Sequence, residues 1–286
     1  MQSTPGEIPS PEVRTAGEQH FHPCINQVTT LGAPFELECA AYSAAGFKRV
    51  ELWFPKLEKL GLKAPKVAAT LRQAGLQPVV ACALDGYLAR SQGELAPHLP
   101  EAEQNFELAQ ALGIPTFLVY TNVDNRDPNN DYPLAAERLY QIADLAAKYQ
   151  VKVALEFIAC SRFIGSLRTA LSVMRTAGHP NVGICLDTFH FFAGVSKTED
   201  LSLPRRGEIT HVHFHDAPRD RPREPMTDCD RVPPGEGDFP LPAVIAALRR
   251  LGYAQNLSVE LFGEKYQNGD PQTVARNCYQ AVLPYC

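Results

Sequence analysis

From Pro23 onward, short apolar segments rich in β-forming residues alternate with stretches of helical periodicity. The alternation repeats about every 25 to 35 residues. Apolar strands separated by helices are typical of a parallel sheet covered by helices. The eight predicted strands are Cys24–Thr30, Val50–Phe54, Pro78–Leu84, Thr116–Tyr120, Val151–Phe157, Val182–Phe189, Ile209–His215 and Leu257–Phe262. Because this number of units in 286 residues suits a (β/α)₈ barrel, we predict an α/β TIM barrel as a single domain over residues 23–286.

The predicted helices fill the intervals between the strands, and several end at a glycine suited to the C-cap position. They are Pro34–Ala45, Ala64–Ala74, Glu101–Leu112, Pro133–Lys148, Ser166–Ala177, Pro240–Leu251 and Pro271–Leu283. An open doubly wound sheet has the same alternation, but its first strand usually leads into a glycine-rich phosphate turn. Here the first strand runs into Val28-Thr29-Thr30-Leu31-Gly32 without a G-x-G-x-x-G pattern, which favours the barrel.

Charge and cysteine usage restrict the classes of partner and compartment. The net charge of −5 provides no basic footprint for nucleic acid, and no apolar run reaches the roughly 18 residues of a membrane helix. The eight cysteines form no C-x-x-C pair, which is typical of reduced thiols. Residues 1–22 lack a signal-peptide core and are predicted to be a flexible lead-in. We therefore predict a cytoplasmic protein with no nucleic-acid and no membrane partner.

Histidines alternate with apolar residues in the run His211-Val212-His213-Phe214-His215-Asp216. In a β-strand the three histidines would share one face, and Val212 and Phe214 would pack on the other. Imidazoles grouped in this way suit metal binding or acid–base chemistry. A polar edge strand with satisfied histidines would have the same pattern, so the neighbouring strands decide between the two interpretations.

Carboxylates lie near the carboxyl ends of predicted strands five, six and eight, as Glu156, Asp187 and Glu260. One such residue alone is more often a solvated or helix-capping group. In a barrel these strand ends converge on one mouth, where unpaired carboxylates would repel each other. Together with one histidine of strand seven, they predict a site for one divalent metal ion: Mn²⁺, Mg²⁺ or Co²⁺, with Zn²⁺ also accepted.

Five segments of the chain resemble the xylose isomerase-like TIM-barrel superfamily of sugar isomerases and epimerases. They are Ala154-Leu155-Glu156-Phe157, Leu186-Asp187-Thr188-Phe189-His190, Val212-His213-Phe214-His215-Asp216, Arg231-Val232-Pro233-Pro234-Gly235-Glu236-Gly237 and Ser258-Val259-Glu260-Leu261-Phe262. The opening Cys24–Leu31 segment and the Asp-Thr-Phe-His-Phe block look closest to the inosose (2-keto-myo-inositol) isomerase branch. The resemblance extends from about Pro23 to the C-terminus and is thin between Pro55 and Gln150.

The resemblance implies roles for individual residues. The implied metal ligands are Glu156, Asp187, His213 and Glu260. The implied substrate-holding residues are His190 and Arg231, whose donor groups suit hydroxyl and carbonyl oxygens. His211 and His215 are predicted to be supporting or substrate-side groups, and Asp216 is predicted to orient a ligand or a substrate hydroxyl. Near the end of strand two, Glu51 and Trp53 are predicted to line the substrate pocket.

The predicted function is a divalent-metal-dependent isomerase or epimerase of a ketose, an inosose or a polyol-derived substrate. Proton transfer would proceed through a metal-bound enediolate, with Glu156 and Glu260 as the catalytic residues on opposite sides of the substrate. An inosose- or dehydroshikimate-type dehydratase would use the same site and then expel a hydroxyl group. Barrels of this kind often form homodimers, so a homodimer is the oligomeric state considered for this protein.

Two further classes are disfavoured. An AP endonuclease-like nuclease of this superfamily has an Asp-Arg-His run where this chain has Asp230-Arg231-Val232, so one ligand of its additional metals is missing. A non-catalytic sugar-binding barrel would tolerate loss of the metal ion.

Overall fold

A closed barrel of eight parallel strands forms the centre of the protein. The structure is a computed structural model that describes residues 20–89, 95–120, 128–218, 222 and 226–286. The strands follow one another in chain order around the barrel, and the first pairs with the last. They are β1 His22–Asn26, β2 Arg49–Trp53, β3 Gln77–Asp85, β4 Thr116–Tyr120, β5 Lys152–Glu156, β6 Val182–Asp187, β7 Ile209–His213 and β8 Asn256–Val259. The predicted (β/α)₈ fold is confirmed.

Helices cover the outside of the barrel. In the described part of the chain they are α1 Phe35–Ala45, α2 Phe54–Lys59, α3 Ala64–Ala74, α4 Leu99–Ala111, α5 Pro128–Lys148, α6 Leu167–Ala177, α7 Thr188–Ala193, α8 Leu241–Arg250, α9 Glu264–Gln267 and α10 Pro271–Val282. The sequence did not predict α2, α7 and α9, because four to six residues are too few to show helical periodicity. None of the described helices has the length and hydropathy needed to cross a membrane.

Several strands end earlier than the sequence predicts. After β1, the Asn26 side chain accepts the N–H of Val28 and begins a 3₁₀ turn over Gln27–Thr30. After β6, the Asp187 side chain accepts the N–H of His190 and caps α7. In both places a polar side chain at the barrel mouth satisfies a free backbone donor, which stops the strand. The predicted lead-in over residues 1–22 falls mostly outside the described residues, and β1 already begins at His22.

Small and sulfur-containing side chains fill the barrel interior beneath the mouth. Cys24, Cys82, Ala154 and Cys185 are fully buried there and pack with valines and a leucine from β3 and β4. The cysteines form no disulfide bond within the described part of the chain. A second, larger apolar core lies between the strands and the helices.

A buried ion pair connects α1 and α2 beside the barrel mouth. Lys56 Nζ lies 2.7 Å from Glu38 Oε2, and the two side chains are 6% and 0% exposed. Gln27 donates to the other oxygen of Glu38 at 2.5 Å, while its own Oε1 accepts the N–H of Trp53. The pair therefore fixes the segment after β1 against the end of β2.

We predict that Glu38→Gln lowers the free energy of unfolding by about 3–5 kcal/mol, because Lys56 stays buried without its counter-charge. Burial raises the pKa of Glu38 to about 7. Urea denaturation is therefore measured near pH 8, about one unit above this pKa, so that Glu38 is ionised in the wild type. The control is Glu36→Gln on the same helix, whose pair with Lys66 is more than half exposed on both sides. We expect the control to cost at most about 1 kcal/mol. Equal losses in the two variants would contradict a structural role for the buried pair.

Candidate metal and active site

Four side chains from neighbouring strands converge at the barrel mouth. Nδ1 of His213 lies 2.9 Å from Glu156 Oε1, 3.2 Å from Glu260 Oε2 and 3.4 Å from Asp187 Oδ2. The last residues of β5, β6 and β7 are Glu156, Asp187 and His213, respectively. Glu260 directly follows β8. The structure therefore brings together the four residues that the sequence predicts as metal ligands.

The donor set fits a divalent cation. One oxygen from each of the three carboxylates and one imidazole nitrogen all lie within 4.8 Å of one another. Ligands about 2.0–2.1 Å from a tetrahedral Zn²⁺ are separated by about 3.3 Å, which is close to the observed spacings around Nδ1. Glu156 and Glu260 keep 5% exposure while Asp187 and His213 have none, so the two glutamates are the ligands that reach the mouth.

Glu51 lies behind His213, on the side away from the carboxylates. Its two oxygens are 3.0 and 3.1 Å from Nε2 of His213, and His211 Nε2 is 2.9 Å from one of them. The Glu51 side chain is fully buried. The predicted contact between Glu51 and substrate therefore does not fit this structure, because the carboxylate faces two imidazoles inside the barrel. Trp53, two residues further along β2, is partly exposed and is compatible with the predicted pocket wall.

Arg231 reaches into the site from the loop after β7 and is 1% exposed. Its Nη1 donates to Asp187 at 3.0 Å and to Glu260 at 2.6 Å. Nε and Nη2 donate to Asp228, and the guanidinium lies about midway between two aromatic rings, 5.1 Å from the Phe189 centroid and 5.0 Å from that of Phe262. In this arrangement Arg231 neutralises the carboxylates and anchors its loop.

The remaining predicted residues surround these groups. His190 is 4% exposed, with Nε2 3.1 Å from Arg231 Nη2 and Nδ1 accepting the N–H of Ala159. His215 lies just past β7, with Nε2 3.3 Å from Asp187 Oδ1. Asp216 does not contact a ligand. It accepts the backbone N–H groups of three residues in the following loop, namely Ala217, Gly235 and Phe239.

Asn26 is a site residue that the sequence prediction missed. Its Nδ2 donates to Glu260 Oε1 at 2.9 Å, so that Asn26 and Arg231 hold one oxygen each of this carboxylate. Asn26 is the last residue of β1, where polar groups face the mouth, but the predicted strand Cys24–Thr30 placed it inside the strand and so hid this signal. Asp228 also belongs to the site, through its hydrogen bonds to Arg231.

Burial and charge divide the protonation states within the cluster. Burial raises the pKa of Glu260 to about 8. The nearby carboxylates of Glu156 and Asp187 also raise it, whereas His213 and Arg231 lower it. The pKa of Asp187 is well below its usual value, because Arg231, His215 and His190 outweigh its burial. Burial lowers the pKa of His213, but acidic groups around it raise that pKa well above the ordinary range. A cation entering the site therefore displaces protons from Glu260 and His213.

The chain belongs to the xylose isomerase-like TIM barrel family, whose profile matches residues 39–278. It is 37% identical to the inosose isomerase of Bacillus subtilis over 131 residues, which span 45% of this chain and 46% of that protein. It is 28% identical to the inosose isomerase of Bacillus velezensis over 254 residues, which span 85% of this chain and 89% of that protein.

Two further relatives bear on the chemistry. The 3-dehydroshikimate dehydratase of Pseudomonas aeruginosa is 27% identical over 258 residues, which span 87% of this chain but only 39% of that protein. The crystal structure of the IOLI protein with a bound zinc atom has a TM-score of 0.85 and 25% identity, covering 92% of this chain and 97% of that chain. The family thus includes proteins named as isomerases and as dehydratases.

We predict that the affinity of the metal-stripped protein for Zn²⁺ rises with pH between about pH 6 and 8, by about tenfold per unit for each proton displaced. The contribution of Glu260 should level off above its pKa of about 8, where no proton is left on it to displace. Competition with a chromophoric chelator across this pH range measures the affinity. An affinity independent of pH would contradict the protonation states described above.

Proposed function

We propose that the protein is a divalent-metal-dependent isomerase or epimerase that acts on a ketose or inosose. The observation that carries the proposal is the convergence of Glu156, Asp187 and Glu260 on Nδ1 of His213, with only the two glutamates reaching the mouth. The inosose isomerase relatives support the substrate class, and the zinc atom in the IOLI protein supports a divalent metal.

A cation held by Glu156, Asp187, His213 and Glu260 would supply positive charge beside the carbonyl and the neighbouring hydroxyl of the substrate. The reaction needs a base to remove a proton from the carbon next to the carbonyl and an acid to return one. Glu156 and Glu260 come from β5 and from the end of β8, so they approach the mouth from separate strands. One removes the proton and the other delivers it.

The two glutamates are held differently. In the described part of the chain, the hydrogen bonds of Glu156 involve only Oε1, which contacts His213. Both oxygens of Glu260 accept hydrogen bonds, one from Asn26 and one from Arg231. The second oxygen of Glu156 is therefore the one available to approach a substrate carbon, and we assign Glu156 as the base that removes the first proton.

His190 and Arg231 would hold substrate oxygens at the rim of this site. Arg231 donates to carboxylates through Nη1, Nε and one hydrogen of Nη2. Its Nη2 and the adjacent Nε2 of His190 lie 3.1 Å apart, so a single substrate oxygen could contact both residues at once. Trp53 would form an apolar wall for a sugar or cyclitol ring.

We predict that Glu156→Gln and Glu260→Gln each slow solvent proton exchange at the substrate carbon by about 10²- to 10⁴-fold, because an amide cannot accept or deliver this proton. The readout is deuterium incorporation into an inosose or ketose in D₂O, followed by NMR. The metal content of each variant is measured in parallel, so that loss of the ion is separated from loss of the base. The control is Glu103→Gln on the exposed face of α4. Wild-type exchange in either active-site variant would contradict the proposed role.

A dehydratase is the second candidate, supported by the 3-dehydroshikimate dehydratase relative. It would use the same proton removal and then expel a hydroxyl group from the neighbouring carbon. Mass spectrometry of the product distinguishes the two reactions. An isomer or epimer has the mass of the substrate, whereas a product lighter by one water would assign the protein to the dehydratases. We expect the mass to be unchanged.

A further inference from the structure

Glu51 has no place in the proposed reaction, although it is a fully buried carboxylate beside the site. Its side chain is fully buried and accepts hydrogen bonds from β3, β7 and β8. The donors are Cys82 Sγ, His211 Nε2, His213 Nε2 and Ser258 Oγ. Rotating Glu51 toward the mouth would leave buried donors without acceptors, which is unfavourable. Its function must therefore act through the groups that it contacts.

Of these groups, His213 links Glu51 to the metal site. The two nitrogens of this imidazole face different partners: Nδ1 faces Glu156, Asp187 and Glu260, and Nε2 faces Glu51. A carboxylate can only accept, so Nε2 must carry a proton in the hydrogen bond to Glu51. With that proton fixed on Nε2, the lone pair that can bind a metal is on Nδ1.

We propose that Glu51 is the positioning residue of the metal site, which orients the His213 ring and fixes its tautomer so that Nδ1 is presented to the cation. This inference rests on the proposed function, because it requires a metal ion at the four-ligand site. The physical basis is general: a carboxylate that accepts the second N–H of a metal-bound histidine sets the ring orientation and increases the basicity of the ligand nitrogen.

His211 and Ser258 hold Glu51 in turn. His211 lies two residues before His213 on β7, and the two rings meet edge to face with centroids 5.1 Å apart. Nδ1 of His211 has no partner among the described residues, so Nε2 is its donating nitrogen. Ser258 Oγ donates to the same oxygen of Glu51 at 2.8 Å. The alternating histidines of β7 thus have separate tasks: one binds the cation, and the other fixes the carboxylate behind it.

A second metal ion at Glu51, His211 and His213 is the competing interpretation, because ligand atoms of these three residues also lie within 4.8 Å of one another. The hydrogen bonds argue against it. Nε2 of both imidazoles faces Glu51 at hydrogen-bonding distance, and those protons would have to leave before an ion could enter this fully buried space. The number of ions bound per chain tests this interpretation directly.

The experiment measures the Zn²⁺ affinity of the metal-stripped protein by competition with a chromophoric chelator. We expect Glu51→Gln to weaken binding by about 10- to 100-fold, because the amide offers one acceptor and turns an NH₂ group toward buried donors. Ser258→Ala removes one donor to Glu51 without touching a ligand, and should weaken binding about two- to tenfold. The matched control is Glu38→Gln, which removes a buried carboxylate elsewhere and should leave the affinity unchanged.

A spectroscopic measurement separates positioning from general destabilisation. With Co²⁺ in place of Zn²⁺, Glu51→Gln should change the visible absorption of the bound ion, since the ligand geometry at His213 changes. Glu38→Gln should retain the wild-type spectrum even though it lowers stability. An unchanged spectrum in Glu51→Gln would count against the positioning role.

Each further outcome decides the question. Wild-type Zn²⁺ affinity in Glu51→Gln would overturn the positioning role while the proposed function stands. Two ions in the wild type and one in Glu51→Gln would make Glu51 a ligand and overturn it as well. If the wild type binds no divalent ion, the positioning role and the proposed function both fail. If Glu51→Gln does not fold, an unchanged affinity in Ser258→Ala overturns the inference.

Discussion

The barrel mouth holds buried carboxylates that repel one another, and the rest of the site depends on how this repulsion is offset. Glu156, Asp187 and Glu260 lie around one imidazole, where low exposure to water strengthens the repulsion between them. Arg231 neutralises part of this negative charge, because its Nη1 donates to two of the three carboxylates. Because Arg231 comes from the loop after β7, the charge of the site also determines where that loop is anchored.

The backbone at the strand ends is coupled to the same groups. Asp187 caps α7 with one oxygen and directs the other toward His213 and Arg231. Asn26 begins the turn after β1 with its side-chain oxygen and holds Glu260 with its amide nitrogen. Each residue satisfies a local backbone donor and a distant side chain at once, so local chain direction and site geometry are fixed by the same hydrogen bonds. A change at either position would disturb both.

The sequence was sufficient to predict the barrel and the convergence of its four ligand candidates. Both follow from simple rules: alternating strands and helices close into a barrel, and polar groups at the strand ends meet at one mouth. Glu51 shows where such rules stop. It shares a face of β2 with Trp53, but the depth of each residue inside the barrel depends on strand register. The pairing of β2 with β3 shifts between Val50 and Glu51, an irregularity that no periodicity in the sequence indicates. In the structure Glu51 lies among the histidines instead of at the pocket.

The sequence also could not show how many of the hydrogen-bond donors of Arg231 are already paired within the protein. Its residue type suits a substrate oxygen, but most of its donors are already paired with Asp187, Asp228 and Glu260. The same bonds make the two glutamates of the site unequal. Within the described residues, Glu260 accepts hydrogen bonds at both oxygens, whereas Glu156 is held through Oε1 only. The free oxygen of Glu156 suits the removal of a proton, and the role proposed for Glu260 is to deliver one. The asymmetry that proton transfer between two carbons requires is thus built from Asn26 and Arg231, which belong to opposite ends of the chain and meet only when the barrel closes.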